Sequence, residues 1–159
     1  MSKIFELGIV SQLVNIYSHP HGGKIVEKEK QRQAIMGLLA VMVRHASPFE
    51  LDVLLSPQFF LVARISEELR DASSPVDYRK DLCTSALVIL VKGSFYIQQF
   101  LELGIMDALE VSFRSDSFEL TANLFKCLCL ILTRGEVETV ASLFNLVSLS
   151  LELHSLNSY

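Results

Sequence analysis

The amino-acid sequence predicts an all-α protein, and residues 94–135 carry the clearest signal. Three apolar segments follow one another in this stretch with only a few residues between them, and each has its apolar residues at helical spacing. None shows the alternation of apolar and polar residues that a half-buried strand requires. The chain has 159 residues, of which 50% are hydrophobic, so a single helical domain can bury a sizeable core.

The same helical unit recurs along the chain. Gly8 and Gly104 each precede an isoleucine, and a further corner is predicted midway between them, at the Ser56-Pro57 pair. At three corresponding places in the long helices, a small residue precedes a leucine: Gly37-Leu38, Ala86-Leu87 and Cys127-Leu128. Periods of roughly 40 to 47 residues are typical of helical solenoids. The spacing therefore predicts stacked helical repeats.

This unit resembles the armadillo or HEAT repeat, in which a short helix, a Gly-Ile corner, a second helix, a polar turn and a long apolar third helix follow one another. The resemblance covers about residues 3–135. It implies an all-α, armadillo-like right-handed α-solenoid of about three repeats in one domain, residues 1–159. The expected units are repeat 1 at about 3–45, without its first helix, repeat 2 at about 47–93, repeat 3 at about 94–135 and a terminal helix at 136–154.

The first predicted helix spans residues 3–18 and is followed by a surface loop at 19–23, which is rich in glycine and proline. The first long helix is predicted over residues 24–45. Its charged opening is expected in solvent, whereas its second half is apolar on all sides, as in a helix packed between neighbours.

Three serine-proline pairs mark predicted helix starts, at Ser47, Ser56 and Ser74. A serine oxygen can accept a backbone hydrogen bond at a helix start, and proline is tolerated at the first helical position because its missing N–H would be unpaired there. Glu50 and Asp77, each three residues after a serine, predict capping boxes. The alternative function for these pairs is phosphorylation by a proline-directed kinase.

The helix predicted from Pro57 to Asp71 is amphipathic. Arg64 and Glu68 lie one turn apart and are predicted to form a pair on its exposed side. The apolar residues at helical spacing are Leu61, Ile65 and Leu69.

Two further long helices follow. The first is predicted over residues 76–92 and ends at Gly93, and the second begins at Asp116, with Glu119 as its capping partner. Burial of Leu87 and Leu128 is expected from their place in the repeat.

The composition bears on location and on partners. The net charge is −4 with no basic cluster, so nucleic acid is not an expected partner. No uncharged apolar run is long enough for a membrane span. The start lacks the features of a secretory signal, and three cysteines without an evident pairing pattern favour a reducing compartment. An intracellular location, cytoplasm or nucleus, is therefore expected.

Few residues suggest metal or thiol chemistry. Cys127 and Cys129 are two apart on a helix, so they point to nearly opposite sides, cannot share one metal ion and are interpreted as buried apolar residues. His19 and His21 lie close together in the loop, but no Cys, Asp or Glu nearby completes a tetrahedral zinc site. No cofactor is expected.

The carboxylates Glu67, Glu68 and Asp71 are interpreted as a solvated helix face and not as an acidic site. Motifs for phosphate loops, nucleophile elbows or metalloprotease helices are absent from the sequence. The sequence therefore predicts a non-catalytic protein. An enzyme is a distant third hypothesis, after the two non-catalytic roles described next.

The resemblance implies a protein-interaction scaffold whose long third helices line a concave surface. In peptide-binding armadillo proteins these helices carry an asparagine ladder, but the corresponding positions here hold Ala40, Ile89 and Leu130, and the chain has no tryptophan. This favours apolar docking of a helix or domain from a partner protein. The alternative is a structural role, as a slice of a longer solenoid or as a self-assembling subunit.

The terminal segment, residues 136–153, carries two apolar stripes at helical spacing. One stripe is expected to pack on the third repeat. The other would be exposed, whereas a terminal solenoid helix should have a polar outer face. This second stripe is the predicted partner-binding surface and consists of Leu143, Leu146, Leu149 and Leu153. The alternative is that the tail of the chain covers it.

Overall fold

A computed structural model describes residues 8–113 and 117–135 of the chain. These residues form α-helices and one short 3-10 helix with no strand among them, so the all-α prediction is confirmed. The elements are α1 (Ile9–Ser18), α2 (Ile25–His45), α3 (Pro48–Leu54), the 3-10 helix (Pro57–Phe59), α4 (Leu61–Arg70), α5 (Val76–Lys92), α6 (Ser94–Glu102), α7 (Ile105–Phe113) and α8 (Phe118–Arg134). The predicted terminal helix, residues 136–154, lies outside the described residues.

Three helices begin directly after a residue with left-handed backbone geometry. Gly8 (φ 66°) precedes α1 and Gly104 (φ 80°) precedes α7, at the two predicted Gly-Ile corners. Phe60 (φ 49°, ψ 31°) precedes α4 in the same way. Glycine adopts this geometry freely, whereas a bulky residue is strained in it. The middle corner therefore has a phenylalanine where the other two have a glycine.

Phe60 also divides the predicted helix from Pro57 to Asp71 into two elements. Pro57 opens the 3-10 helix, and the Ser56 side chain makes no capping hydrogen bond there. A left-handed residue cannot continue a right-handed helix, so α4 starts only at Leu61. The prediction that Ser56-Pro57 is the corner and starts an α-helix was therefore wrong.

The long helix α5 lies between the other two long helices and packs against both α2 and α8. On one side, the buried Ser85 hydroxyl donates a hydrogen bond to the Ala40 carbonyl at 3.0 Å. On the other side, the Cys83 sulfur lies 3.8 Å from the Cys127 sulfur. Small side chains at these positions allow the helix backbones to approach closely.

Contacts between α5 and α8 show that the two helices run in the same direction. Near their starts, Lys80 pairs with Glu119 at 3.2 Å. Near their ends, an Arg134 nitrogen donates to the Val91 carbonyl at 3.1 Å. The starts of the two helices are thus in contact with each other, and so are their ends.

The predicted burial of Leu87 and Leu128 was wrong, because both leucines are only half-buried. The small residues directly before them, Ala86 and Cys127, are fully buried instead. Neighbouring residues on a helix differ by about 100° in direction, so a leucine next to a core position points toward the edge of the interface. Leu38 is 47% exposed, so α2 is not enclosed on all sides as predicted.

Two helix starts have serine caps. Ser47 and Glu50 form the predicted capping box at the start of α3, with hydrogen bonds in both directions. At the start of α8, the Ser117 side chain accepts a hydrogen bond from the Leu120 backbone. The prediction of Asp116 as this cap was therefore wrong, because the next residue takes that role.

The predicted capping box of Ser74 and Asp77 does not form. Pro75, and not Ser74, directly precedes α5. The Ser74 hydroxyl donates instead to the Asp71 carboxylate at 3.0 Å, within the turn after α4, and Asp77 pairs with Lys80 at 3.4 Å. Asp71 competes successfully for the serine hydroxyl because both residues belong to the same short turn.

Helix α4 has the central position among the shorter helices. It packs against α5, α6 and α7. Its predicted apolar residues are buried, as are two large residues of α6 that face the same core: Leu61, Ile65, Leu69, Ile97 and Phe100. The first turn of α4 borders an apolar cavity, and its later turns border a polar one.

Candidate functional site

The partner-binding residues predicted from the sequence belong to the segment after Gly135. They are Leu143, Leu146, Leu149 and Leu153. All four lie outside the described residues, so this stripe stays a prediction.

Two of the three positions predicted to line a concave binding face are inaccessible. Ala40 and Ile89 are fully buried, and Leu130 is half-buried. Ala40 and Ile89 lie on the core side of their helices, so these two residues cannot contact a partner. Other large apolar residues on these helices reach the surface: Leu38, Val41, Val91 and Phe125.

A groove lies between the start of α4 and one face of α6. Its cavity volume is about 370 Å³, within the range of protein ligand sites. One wall consists of the 3-10 helix and the first turn of α4, and the other consists of α6. We call it the aromatic groove, and the residues used below are Phe60, Phe95, Tyr96, Gln99, Glu102 and Leu103.

Two aromatic side chains of this groove are largely in solvent. Phe60 is 65% exposed and Phe95 is 66% exposed. Phe95 packs edge-on against Tyr96, with 5.3 Å between ring centroids and 76° between ring planes. This geometry is favourable for aromatic pairs. It fixes the Phe95 ring at the groove without burying it.

The conformation of Phe60 has an energetic cost. The left-handed region costs an ordinary residue roughly 1–2 kcal/mol. Gly8 and Gly104 avoid this cost at the two equivalent corners. Strain of this kind is concentrated at functional sites, where the residue type serves a purpose other than stability.

Sequence reasoning missed this groove, although one signal was present. Two consecutive phenylalanines, Phe59 and Phe60, follow the Ser56-Pro57 pair. Consecutive residues of a 3-10 turn differ by about 120° in direction, so the two rings face different ways. Phe59 is buried and Phe60 is exposed. Two consecutive aromatic residues at a corner, where the other two corners have a glycine, therefore predict that one aromatic side chain is exposed.

The second half of α4 carries a buried carboxylate, Glu68, which together with Tyr17 and Tyr78 forms what we call the polar junction. Glu68 is only 8% exposed and accepts hydrogen bonds from the Tyr17 hydroxyl at 2.7 Å and the Tyr78 hydroxyl at 3.1 Å. The prediction of an exposed pair between Arg64 and Glu68 was therefore wrong. Interpreting Glu68 as part of a solvated face was also wrong, because α1 and α5 cover it with these tyrosines.

Burial controls the protonation of this junction. Desolvation raises the pKa of Glu68, and the charges of Glu29 and Glu67 raise it further, while the tyrosine hydrogen bonds oppose the shift. Burial and the adjacent carboxylate also raise the pKa of both Tyr17 and Tyr78. Both hydroxyls therefore remain protonated donors at neutral pH.

Arg64 of α4 lies beside the polar junction. Its guanidinium lies 4.4 Å from the centroid of the Tyr17 ring, a favourable cation–π distance. It donates to the Ser18 hydroxyl at 3.0 Å and to the Phe59 carbonyl at 3.1 Å. An adjoining polar cavity of about 330 Å³ is lined by residues that include Glu29, Arg32, Glu67 and Asp71. Glu68 thus pairs with two tyrosines, and Arg64 pairs with Ser18 and with the Tyr17 ring.

The cysteines and histidines form no reactive constellation in the described part of the chain. Cys127 is buried as predicted, but Cys129 is exposed, which corrects the prediction for that residue. The hydrogen bond to Cys83, together with burial, raises the pKa of the Cys127 thiol, so it is a poor nucleophile. The His21 backbone donates to Gln31 at 2.8 Å. Within residues 8–113 and 117–135, no three His, Cys, Asp or Glu side chains are arranged to hold a metal ion.

No family model, curated protein or solved structure matches the chain. Among the helices that the structure describes, none has the length and apolar character needed to cross a membrane. The helical architecture and the aromatic groove are therefore the observations on which a functional assignment rests.

Proposed function

We propose that the chain is a non-catalytic protein-interaction module of the armadillo-like or HEAT-like α-solenoid type, with about three repeats. Three recurring corners with left-handed geometry, at Gly8, Phe60 and Gly104, support this proposal. The position of α5 between α2 and α8 also supports it. In a solenoid each repeat packs on its sequence neighbours, so successive long helices should meet in chain order.

The partner docks in the aromatic groove. The observation that carries this proposal is Phe60, an exposed phenylalanine at a strained corner where glycine would serve the fold better. Phe95 offers a second exposed ring in the same groove. Buried aromatic anchors supply much of the energy of protein interfaces, so two exposed rings at one cavity suit a protein partner.

Selection of short random peptides displayed on phage tests this function. We expect peptides that bind the full chain and lose about tenfold or more in affinity with the double substitution Phe60→Gly and Phe95→Ser, because truncating an aromatic hot spot costs about 2 kcal/mol or more. Synthetic copies of the selected peptides, titrated by fluorescence anisotropy, give the affinities.

The matched control is Phe118→Ser. Phe118 is 87% exposed at the start of α8 and does not line the aromatic groove. Its substitution removes an exposed ring of the same kind and should leave peptide binding unchanged. Selected peptides that bind the groove variant as tightly as the natural chain would overturn the proposed function.

A structural role is the second candidate, either as a slice of a longer solenoid or as a self-assembling subunit. The exposure of Phe118 favours it, because this residue begins the last described long helix, where a further repeat or a second copy would pack. Analytical ultracentrifugation of the full chain distinguishes the two functions. A monomer that binds groove-dependent peptides supports the interaction module, whereas an oligomer that loses mass with Phe118→Ser supports assembly.

A further inference from the structure

The aromatic groove has room for two side chains of a partner. An apolar cavity of about 150 Å³ holds one benzene molecule, and the groove has a volume of about 370 Å³. It can therefore accept about two large apolar side chains. A single continuous segment supplies two such side chains when they lie on one face, as residues one helical turn apart do.

The walls of the groove favour a helical segment over an extended one. The lining residues belong to the 3-10 helix, to α4, to α6 and to the short connections between these elements. The groove residues include no strand, and the described chain has none whose edge could pair with a peptide backbone. An extended segment would therefore find no strand edge here for its own N–H and C=O groups, and only side chains or water could satisfy them. A helix satisfies these groups internally.

The charge at the rim defines a further property of the partner. Among the described residues that line the groove, Glu102 is the one with a charged side chain. It is exposed at the last position of α6, where the negative end of the helix dipole adds to its charge. Gln98 donates to its carboxylate at 3.0 Å, but no Lys or Arg of the described residues forms a salt bridge with it.

From these three observations we infer that the groove binds an amphipathic helix of a partner protein. Two apolar side chains about one turn apart enter the groove between Phe60 and Phe95, and a Lys or Arg pairs with Glu102. This inference rests on the proposed function and specifies the chemistry of the partner. Helix-in-groove docking is an established mode of peptide recognition.

The phage-selected peptides test the inference through a charge swap. Peptides that depend on Phe60 and Phe95 should share two apolar residues at helical spacing and a basic residue beyond them. Glu102→Lys should weaken their binding about two- to fivefold, the range for an exposed ion pair. Replacing the basic residue of the peptide with glutamate should restore affinity for the Glu102→Lys chain.

Two controls accompany the swap. Glu27→Lys changes the net charge equally on α2, outside the residues that line the groove, and should leave binding unchanged. A peptide with proline at its centre should lose binding because it cannot remain helical. The circular dichroism spectrum of the complex, after subtraction of the spectrum of the free chain, reports whether the bound peptide is helical.

The outcomes separate the two proposals. Peptides that depend on Phe60 and Phe95 but are proline-rich, bind equally well with a central proline, or fail the charge swap would overturn the helical basic partner while leaving the groove as a binding site. Peptides that ignore the groove substitutions would overturn the proposed function itself. Helical peptides that pass the charge swap would support both.

Discussion

The first and the last turns of α4 offer a comparison within one helix. In the later turns, the Glu68 carboxylate is buried and is held by hydroxyls from Tyr17 on α1 and Tyr78 on α5. At the first turn, Phe60 and Phe95 border a groove of similar volume and remain mostly exposed. The polar junction thus has partners within the chain, whereas the aromatic groove keeps two large rings in water.

This difference leads us to propose that the polar junction serves the fold and that the aromatic groove serves a partner. A buried carboxylate is tolerated only when hydrogen bonds satisfy it, so the polar junction ties α1, α4 and α5 together. Exposed rings contribute little to stability, and a strained backbone at Phe60 reduces it. Substitutions in the polar junction should therefore lower the stability of the fold, and substitutions in the aromatic groove should weaken partner binding.

The largest expected effect contrasts two phenylalanines of α6. Phe100 is fully buried and faces the core, whereas Phe95 is mostly exposed in the groove. Phe100→Ala should cost about 3–5 kcal/mol in the free energy of unfolding, because it leaves a large cavity. Phe95→Ala should cost below about 1 kcal/mol. Urea denaturation followed by circular dichroism measures both, and equal costs would mean that the groove face belongs to the core.

The next contrast concerns two adjacent glutamates of α4. Glu68→Ala should destabilise the chain by about 1–3 kcal/mol, because it leaves the hydroxyls of Tyr17 and Tyr78 without their acceptor. Glu67 is exposed, so Glu67→Ala should change stability by no more than about 0.5 kcal/mol. The same denaturation experiment compares them. A neutral effect at Glu68 would show that the polar junction does not hold the helices together.

The polar junction also predicts a dependence on pH. The pKa of Glu68 is raised in the folded state, so protonation favours folding at this position. The resulting stability is fully present below the unfolded pKa of about 4.3 and is lost as the pH rises through the higher folded pKa. The free energy of unfolding of the natural chain, relative to that of Glu68→Gln, should therefore increase from pH 7 toward pH 4. A relative decrease would mean that the tyrosine hydrogen bonds outweigh burial.

The sequence predicted helices and corners well because local rules govern them. Glycines before Ile9 and Ile105 marked two corners, and Ser47 with Glu50 marked a capping box. The middle corner was misplaced because Phe60 breaks the rule that a left-handed position should be glycine. A residue that departs from local preference cannot be located by a pattern based on that preference.

The candidate site was much less accessible from the sequence. Assignment of Glu68 to an exposed face failed because its partners, Tyr17 and Tyr78, belong to other helices and only tertiary packing brings them together. The groove required the spatial meeting of Phe60 with Phe95, which are far apart in the chain. Periodicity places a residue on one face of its own helix, but it does not say what covers that face.

The substitution Phe60→Gly should change stability only slightly and is the sharpest test of the comparison, because the fold and the proposed partner favour different residues at this position. Phe60→Gly removes roughly 1–2 kcal/mol of left-handed strain, and the added backbone freedom of glycine costs about 0.5–1 kcal/mol in return. The exposed ring contributes little packing, so the variant should be as stable as the natural chain or more stable by up to about 1.5 kcal/mol. Its peptide binding should nevertheless weaken, because one of the two aromatic anchors of the groove is lost.

The control replaces a glycine by a residue with a side chain at the first corner. Gly8 has the same left-handed geometry, and none of the described residues lies within 4 Å of an added Cβ, so Gly8→Ala introduces backbone strain without a clash among them. It should destabilise the chain by about 1 kcal/mol, which calibrates the strain at Phe60. If Phe60→Gly instead lowered stability by as much as Gly8→Ala does, the ring would be a structural part of the groove wall. The presence of phenylalanine at that corner would then be explained by the fold alone.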